Sequence, residues 1–402
     1  MAPRALILDV TRLISRIGKG ALTGIDRVEL AYARHLPAAG LPLFGLLRTG
    51  AGVLLLPSAS LAQICAWADG QVLPQSLDLI SRLSRRGDSP RLAMEAALRR
   101  QAVARAPVGL AGWILRRHLP PGSAYLNVGH ANLSGRMMRA LRRSGRVRIA
   151  VLLHDVIPLD YPQFARADQV PAFARKLQTI SRYADLVIHT AKATRQANEV
   201  QLRAAGHVPP GIVAPLGIVV TPPRDEEIPA ELSAGTPYFV VLGTIEPRKN
   251  HSLLLDVWQG FTGLEPPPRL LILGNKGWAG APLMARLEAG VPGVEVISGL
   301  GDGAVSALIA GAHAVLFPTL AEGFGLPAFE AAALGTPVIA SDLPVLREFL
   351  AEFPVYLDPT DSYSWSRTIL DHFLQPRKAG SDEAGLSFPS WEEHFRIVLT
   401  SF

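Results

Sequence analysis

Hydrophobic positions along this chain fall into two kinds of run. Short unbroken apolar stretches recur: ALILDV (5–10), YLNVG (125–129), the apolar start of RVRIAVLLHDVIPLDYP (146–162), ADLVIHT and GIVAPLG. Runs of this length without a polar face read as strands buried on both sides. Between them lie segments whose apolar residues recur at helical spacing, such as Ile25, Val28, Leu30, Tyr32 and Leu36, and a helix over 191–205. Residues 42–56 add one or two short strands, and 58–68 a short helix. From about 76 to 118, helical spacing carries arginine-rich faces and a Trp-bearing apolar patch, GLAGWILRRHL.

Residues 217–236 (GIVVTPPRDEEIPAELSAGT) break the alternation with three prolines, an acidic cluster and no period, which predicts a linker. A second series follows: PYFVVLG from 237, RLLILG (269–274), VEVIS (294–298), AVLF (314–317) and PVIAS (337–341). Strands alternating with helices predict parallel, doubly wound sheets. The expected organisation is an N-terminal domain over 1–216, a linker over 217–236, a second α/β domain over 237–385 and a final helix in 386–402. Ser390, with Glu393 three residues on, predicts that helix's start.

Composition narrows the class. The 402 residues are 49% hydrophobic and 18% charged, which excludes a disordered chain. No apolar run approaches the roughly 18 residues of a spanning helix, and MAPRALILDVTR has too short an apolar core for a secretory signal. The single Cys65 excludes an internal disulfide and a cysteine metal cluster. The expected location is cytoplasmic, with the inner face of the membrane as a second site. The net charge is +6, yet fifteen arginines against only Asp88 and Glu95 lie between Arg82 and Arg148, so the rest is net acidic. Lacking a nucleic-acid motif or interleaved aromatics, such a block fits anionic lipid or polyanion better than nucleic acid. Arginine outnumbers lysine 34 to 6 throughout, so a merely solvated basic face stays an equal alternative.

The chemistry concentrates in Pro318–Asp342, PTLAEGFGLPAFEAAALGTPVIASD. The strand HAVLF leads into a loop bearing Gly323 and Gly325, and Pro327 fits the first turn of the helix that follows. Unpaired N–H groups and the dipole of a helix start behind a glycine loop make an anion site. Glu322 and Glu330 bracket it. A carboxylate only accepts hydrogen bonds, and sugar hydroxyls donate them, so the pattern suits a diphosphate between two sugars. Two glutamates that simply favour a helix start remain the blander reading. Arg248 and Lys249, in LGTIEPRKNHSLLLDVW at the end of the domain's first strand, would neutralise such a diphosphate. Gly18, Gly20 and Gly24 form a glycine loop one residue off the dinucleotide fingerprint, and no acid follows the next strand.

AEGFGLPAFEAAALGTPVIASD resembles the donor-site signature of retaining glycosyltransferases of the GT-B fold, family 4 type (glycosyl transferases group 1). G-x-x-E-P-R-K-N resembles that family's phosphate clamp, T-G-I-x-R its first loop and L-H-D-x-x-P-L its N-domain motif. The resemblance is strong over roughly 237–350 and confined to two short motifs before that. It implies an α/β GT-B fold: two Rossmann-like domains facing a cleft, with the last helix returning to the first. It implies Glu322, Arg248, Lys249 and His154 in catalysis, His154 facing the transferred sugar. Gly323, Phe324, Gly325, Leu326, Glu330 and Gly24 would bind the donor, with Gly299 and Leu300 at the base, read mostly by backbone; Asp155 and His130 are further candidates. The partners implied are a nucleotide-diphosphate sugar and a glycan or lipid-linked acceptor, with no cofactor, no metal and no nucleic acid. A GT-B epimerase and a non-catalytic sugar-nucleotide-binding subunit are the alternatives.

Overall fold

The computed structural model describes residues 3–83, 87–232, 237–376 and 386–402. The chain forms two compact units. One takes in residues up to Leu159, Asp168–Leu216 and Ser390–Phe402; the other takes in Asp160–Ala167 and Gly217–Pro389.

Eight strands build the sheet of the first unit: β1 (Leu6–Asp9), β2 (Leu43–Thr49), β3 (Gly52–Pro57), β4 (Ala104–Ala106), β5 (Ser123–Asn127), β6 (Val147–Leu152), β7 (Leu186–His189) and β8 (Gly211–Val213). Their order is β4-β3-β2-β1-β5-β6-β7-β8. The strands from β2 through β1 to β8 run parallel, with Leu6 opposite Leu43 on one side and Ala124 on the other. Every residue of β1 is buried, as its unbroken apolar run requires. The edge departs from the expected parallel sheet. Residues 42–56 are a hairpin, Thr49 opposite Gly52, and β4 extends it antiparallel. A two-residue connection leaves no room for the crossover that parallel pairing needs.

The second unit holds β9 (Tyr238–Leu242), β10 (Arg269–Leu273), β11 (Val294–Ile297), β12 (Ala314–Phe317), β13 (Val338–Ser341) and β14 (Val355–Leu357), all parallel, in the order β11-β10-β9-β12-β13-β14. Its core centres on Trp258, fully buried, edge-on to Phe239 at 6.0 Å, with Nε1 donating to the Pro268 carbonyl at 2.9 Å. Truncating such a residue costs about 3–5 kcal/mol. Residues 217–232, read above as linker, count with this unit: Ile218 N–H donates to Pro389 and Arg224 N–H to Gly303. The rest of that stretch, 233–236, and the boundary before 386 lie outside the described residues.

The last helix, Trp391–Thr400, is capped by Ser390 Oγ accepting from Glu393 N–H at 3.1 Å. It belongs to the first unit, packing on Tyr32 of the helix Gly24–His35. The Tyr32 hydroxyl lies 2.7 Å from His394 Nε2, and the Tyr32 and Phe395 rings meet edge-on at 4.8 Å.

Candidate active site

Strand order in the second unit reverses between β9 and β12, neighbours in space although β10 and β11 lie between them in sequence. Ligands of open α/β sheets bind at such a switch, beyond the strands' carboxyl ends. Here those ends carry Gly243–Asn250 and Pro318–Gly325. Pro247–Lys249 form a tight 3₁₀ turn closed by Asn250 at φ +53°. Leu320 N–H and Thr319 Oγ1 both donate to the Arg248 carbonyl, at 2.7 and 3.1 Å, fastening one loop to the other.

That fastening assembles four charges. Arg248 Nη1 and Lys249 Nζ both donate to Glu322 Oε2, at 2.7 and 2.9 Å, and Arg248 Nε pairs with Glu246 Oε1 at 2.6 Å. Sequence reasoning missed Glu246, although it stands inside the E-P-R-K-N run. Glu322 was expected to face a sugar, but its Oε2 is built into the cation pair. Lys249 is buried, with Nζ 4.9 Å from the centre of the Phe317 ring. Burial pulls the Lys249 ammonium below its usual range, against the pull of Glu322. Burial alone would raise Glu322, but the charges and hydrogen bonds of Arg248 and Lys249 outweigh it and hold the carboxyl at about 2. Glu246 goes the other way, raised by burial over the opposing effect of Arg248. Two cations and two carboxylates thus sit pre-oriented in a mostly water-excluded corner, the setting in which fixed charges act most strongly on a developing anion.

The helix Leu326–Ala333 starts directly behind them, with Pro327 in its first turn. Gly325 precedes it at φ +99°, and a side chain there would also strike Leu346 Cδ2 at 2.8 Å, so only glycine fits. The Phe324 ring stacks on Phe329 at 4.7 Å and leans on Phe349, pinning loop to helix. Gly323 is buried in the loop, Leu326 opens the helix, and Glu330 lies one turn in, half-buried. Gly299 and Leu300 follow β11, two strands from β9, where Gly299 is exposed at φ +81°. The structure therefore brings Arg248, Lys249 and Glu322 into contact and leaves Gly299 and Leu300 beyond a different strand.

The first unit has its own switch, between β1 and β5. Asp9, at the end of β1, accepts from the Thr11 N–H, the Tyr125 hydroxyl and Asn132 Nδ2. His130, at φ +56°, and His154 lie ring to ring at 5.1 Å. His130 Nε2 lies 2.7 Å from the Leu152 carbonyl, and His154 Nε2 lies 2.7 Å from the Val128 carbonyl. A carbonyl only accepts, so both Nε2 atoms carry the hydrogen and both Nδ1 atoms are acceptors in the neutral rings. Burial keeps them neutral, lowering His154 to about 4 and His130 well below the usual range. His154 can therefore accept a hydrogen bond from a hydroxyl at Nδ1. Asp155 Oδ1 accepts from Ile157 N–H at 3.1 Å, capping a short helix. Gly24, expected to bind the donor, begins its helix, and a carboxylate of the chain itself already meets that helix start. Asp26 Oδ2 accepts from Thr23 N–H at 2.9 Å, and Arg12 and Arg16 pair with the same carboxylate. The glycine loop thus ends in an internal anion, and the short helix Thr11–Arg16 that supplies its arginines was not foreseen. Among the described residues no group of three His, Cys, Asp or Glu could hold a metal, and no helix is long and apolar enough to cross a membrane.

Residues 223–379 match the family model described as glycosyl transferases group 1. The serotype-specific mannosyltransferase WbdA of Escherichia coli is 26% identical over 267 residues, covering 62% of this chain and 32% of that protein. The O-antigen chain mannosyltransferase RfbU of Salmonella typhimurium is 32% identical over 137 residues, 33% of this chain and 37% of its own. The chain thus spans about a third of the length of these curated relatives. Anabaena HepE, solved in complex with UDP-glucose, superposes with a TM-score of 0.63 at 14% identity, over 99% of this chain and 97% of its own. The fold is α/β, of the GT-B class.

Proposed function

We propose that this chain, which belongs to the glycosyl transferases group 1 family through residues 223–379, is a retaining, metal-independent hexosyltransferase. It moves a sugar from a nucleotide diphosphate to a glycan or lipid-linked acceptor of a cell-surface polysaccharide. The names of the relatives make mannose the first sugar to test. The observation that carries the reading is the Arg248–Lys249–Glu322 cluster at the switch between β9 and β12, directly ahead of the helix Leu326–Ala333. Two cations and a helix start beside one another suit a diphosphate. As the sugar–phosphate bond breaks, its electron pair goes to the diphosphate, whose growing charge Arg248 and Lys249 offset. The acceptor hydroxyl attacks from the face the diphosphate leaves, and its proton goes to the departing phosphate oxygen.

In this reading Gly323, Phe324, Gly325 and Leu326 shape the donor loop, Glu330 accepts from the ribose, Glu322 from the transferred sugar and the backbone of Gly299–Leu300 meets the base. His154 Nδ1 accepts a sugar hydroxyl, with His130 beside it; Asp155 and Gly24 keep the structural tasks described above. Exposed arginines within 82–148 are the peripheral contact with membrane that a lipid-linked acceptor calls for. A panel of nucleotide sugars assayed by nucleotide release tests the function. Saturable donor binding in calorimetry with no release from any donor, with or without acceptor, would make the chain a binding subunit. A product epimerised in the sugar ring would make it an epimerase.

A further inference from the structure

The arginine block divides once its contacts are known. Arg99 is buried and bound to Asp78, Arg91 pairs with Glu95, and Arg142 pairs with Asp185 at 2.8 Å. These side chains hold the fold together and are not a free basic face. Arg116, Arg117, Arg136 and Arg139 are different: all are exposed, and none pairs with an acid among the described residues.

They stand on two packed helices, the first of which carries two exposed apolar side chains at and just before its start. The turn Val108–Leu110 runs into the helix Ala111–His118, which buries Ile114 and Leu115 and leaves Leu110 58% and Trp113 64% exposed. Leu110, Trp113 and Arg116–Arg117 follow one another at three- and four-residue spacing and share a face. The helix Gly135–Arg143 packs tightly across at Gly112, where an added Cβ would lie 2.4 Å from the Ala140 carbonyl oxygen. At Gly109 an added Cβ would lie 3.6 Å from Arg136 Nη2, so that guanidinium stands beside the apolar pair, with Arg139 one turn on. Tryptophan and arginine also occur at protein interfaces. Here, however, four exposed arginines with no acidic partner among the described residues stand beside an exposed tryptophan and leucine. They give a surface of one sign whose charge complements an anionic bilayer where its headgroups meet its chains.

We propose that Leu110 and Trp113, with Arg116, Arg117, Arg136 and Arg139, form a docking surface for an anionic lipid bilayer. This deepens the reading above by giving the lipid-linked acceptor's membrane a defined contact, yet it is tested without turnover. Sedimentation with vesicles of phosphatidylcholine alone, or mixed with phosphatidylglycerol, measures partitioning of the full chain. Binding should require the anionic lipid and weaken as salt rises. Each arginine at a charged surface contributes roughly fivefold. The R116Q/R117Q/R136Q/R139Q variant should therefore bind at least about 100-fold more weakly, while four Arg→Lys changes retain most of the binding. Trp113→Ala should weaken binding further, and brominated lipid should quench wild-type fluorescence more than that of Trp113→Phe. All six side chains are exposed, so melting temperature and donor-dependent nucleotide release should be unchanged. Equal binding to neutral vesicles, full binding by the glutamine variant, or binding to soluble polyphosphate without binding to vesicles would overturn the proposal. An inactive protein that still docks would leave it standing and would count against the transferase reading alone.

Discussion

Replacing Glu322 with Gln removes the carboxylate on which a buried lysine and a half-buried arginine converge. Arg248 keeps Glu246, but Lys249, only 7% exposed, loses the partner at 2.9 Å. Two routes give the magnitude. Removing one member of a buried pair costs about 3–5 kcal/mol, because the other charge stays buried and uncompensated. Independently, a carboxyl held at about 2 instead of its ordinary 4.5 corresponds to about 3 kcal/mol of pH-linked stability. The sign follows from the depressed folded value: this stability is present above about 4.5 and is lost as pH falls towards about 2. Urea unfolding, read on the transition of the second unit, should therefore show Glu322→Gln about 3 kcal/mol less stable at neutral pH. The gap to wild type should close as pH drops from about 4.5. Adding Lys249→Met should recover part of the loss, since removing both partners is far less costly than removing one. A loss at neutral pH that persists undiminished in acid would show that charge is not its cause.

Three further outcomes test the site. Arg248→Ala and Lys249→Ala should each lower kcat by roughly 10²–10³ with a smaller loss of donor affinity, and Arg248→Lys should not restore the forked contact. With those cations in the place of a metal, turnover should survive EDTA; loss restored by Mn²⁺ would overturn the clamp. Nitrogen-15 NMR should find both His130 and His154 neutral and Nε2-protonated at pH 6, and an Nδ1–H tautomer in either would break the paired-carbonyl geometry. His394, held at about 4 by burial, should make the first unit lose stability as pH falls from 6.5 towards about 4. His394→Gln should reduce that slope but not abolish it, since buried His130 and His154 of the same unit add to it.

Much of this was legible in the chain. The buried parallel strands are mostly apolar runs, broken by few polar residues such as Arg148 in β6 and Asn127 in β5, and β9, β12 and β13 follow from PYFVVLG, AVLF and PVIAS. The start of the last helix followed from Ser390 and Glu393. What escaped was what depends on partners distant in sequence. Arg99 and Arg100 look alike in LRRQ, yet only Arg99 is buried, because Asp78, twenty-one residues away, meets it. The hairpin at β2–β3 lacks alternation because both its faces are covered, so its antiparallel pairing was marked only by the two-residue Gly50-Ala51 connection, which the apolar pattern of 42–56 does not weigh. Glu246 was passed over because one carboxylate beside two cations reads as local neutralisation until Glu322 arrives from 74 residues on.

The two switch points carry different groups at the same place in the sheet topology. Both lie where neighbouring strands are served by connections leaving in opposite directions, which opens a crevice at their carboxyl ends. In the second unit the residues after the strands are Arg248 and Lys249, and a buried carboxylate pair fixes them in place. In the first unit Arg12 and Arg16 are turned onto Asp26, and the groups after the strands are Asp9, saturated by three donors, and two neutral imidazoles. A cation pair with a helix start can stabilise an anion that forms during reaction. Neutral histidines with Nδ1 lone pairs cannot do that, but they accept from hydroxyl groups at little electrostatic cost. On the reading proposed above, the fixed cations of the second unit suit a leaving diphosphate and the neutral imidazoles of the first suit a hydroxyl, so the same point of one topology carries different groups in each unit.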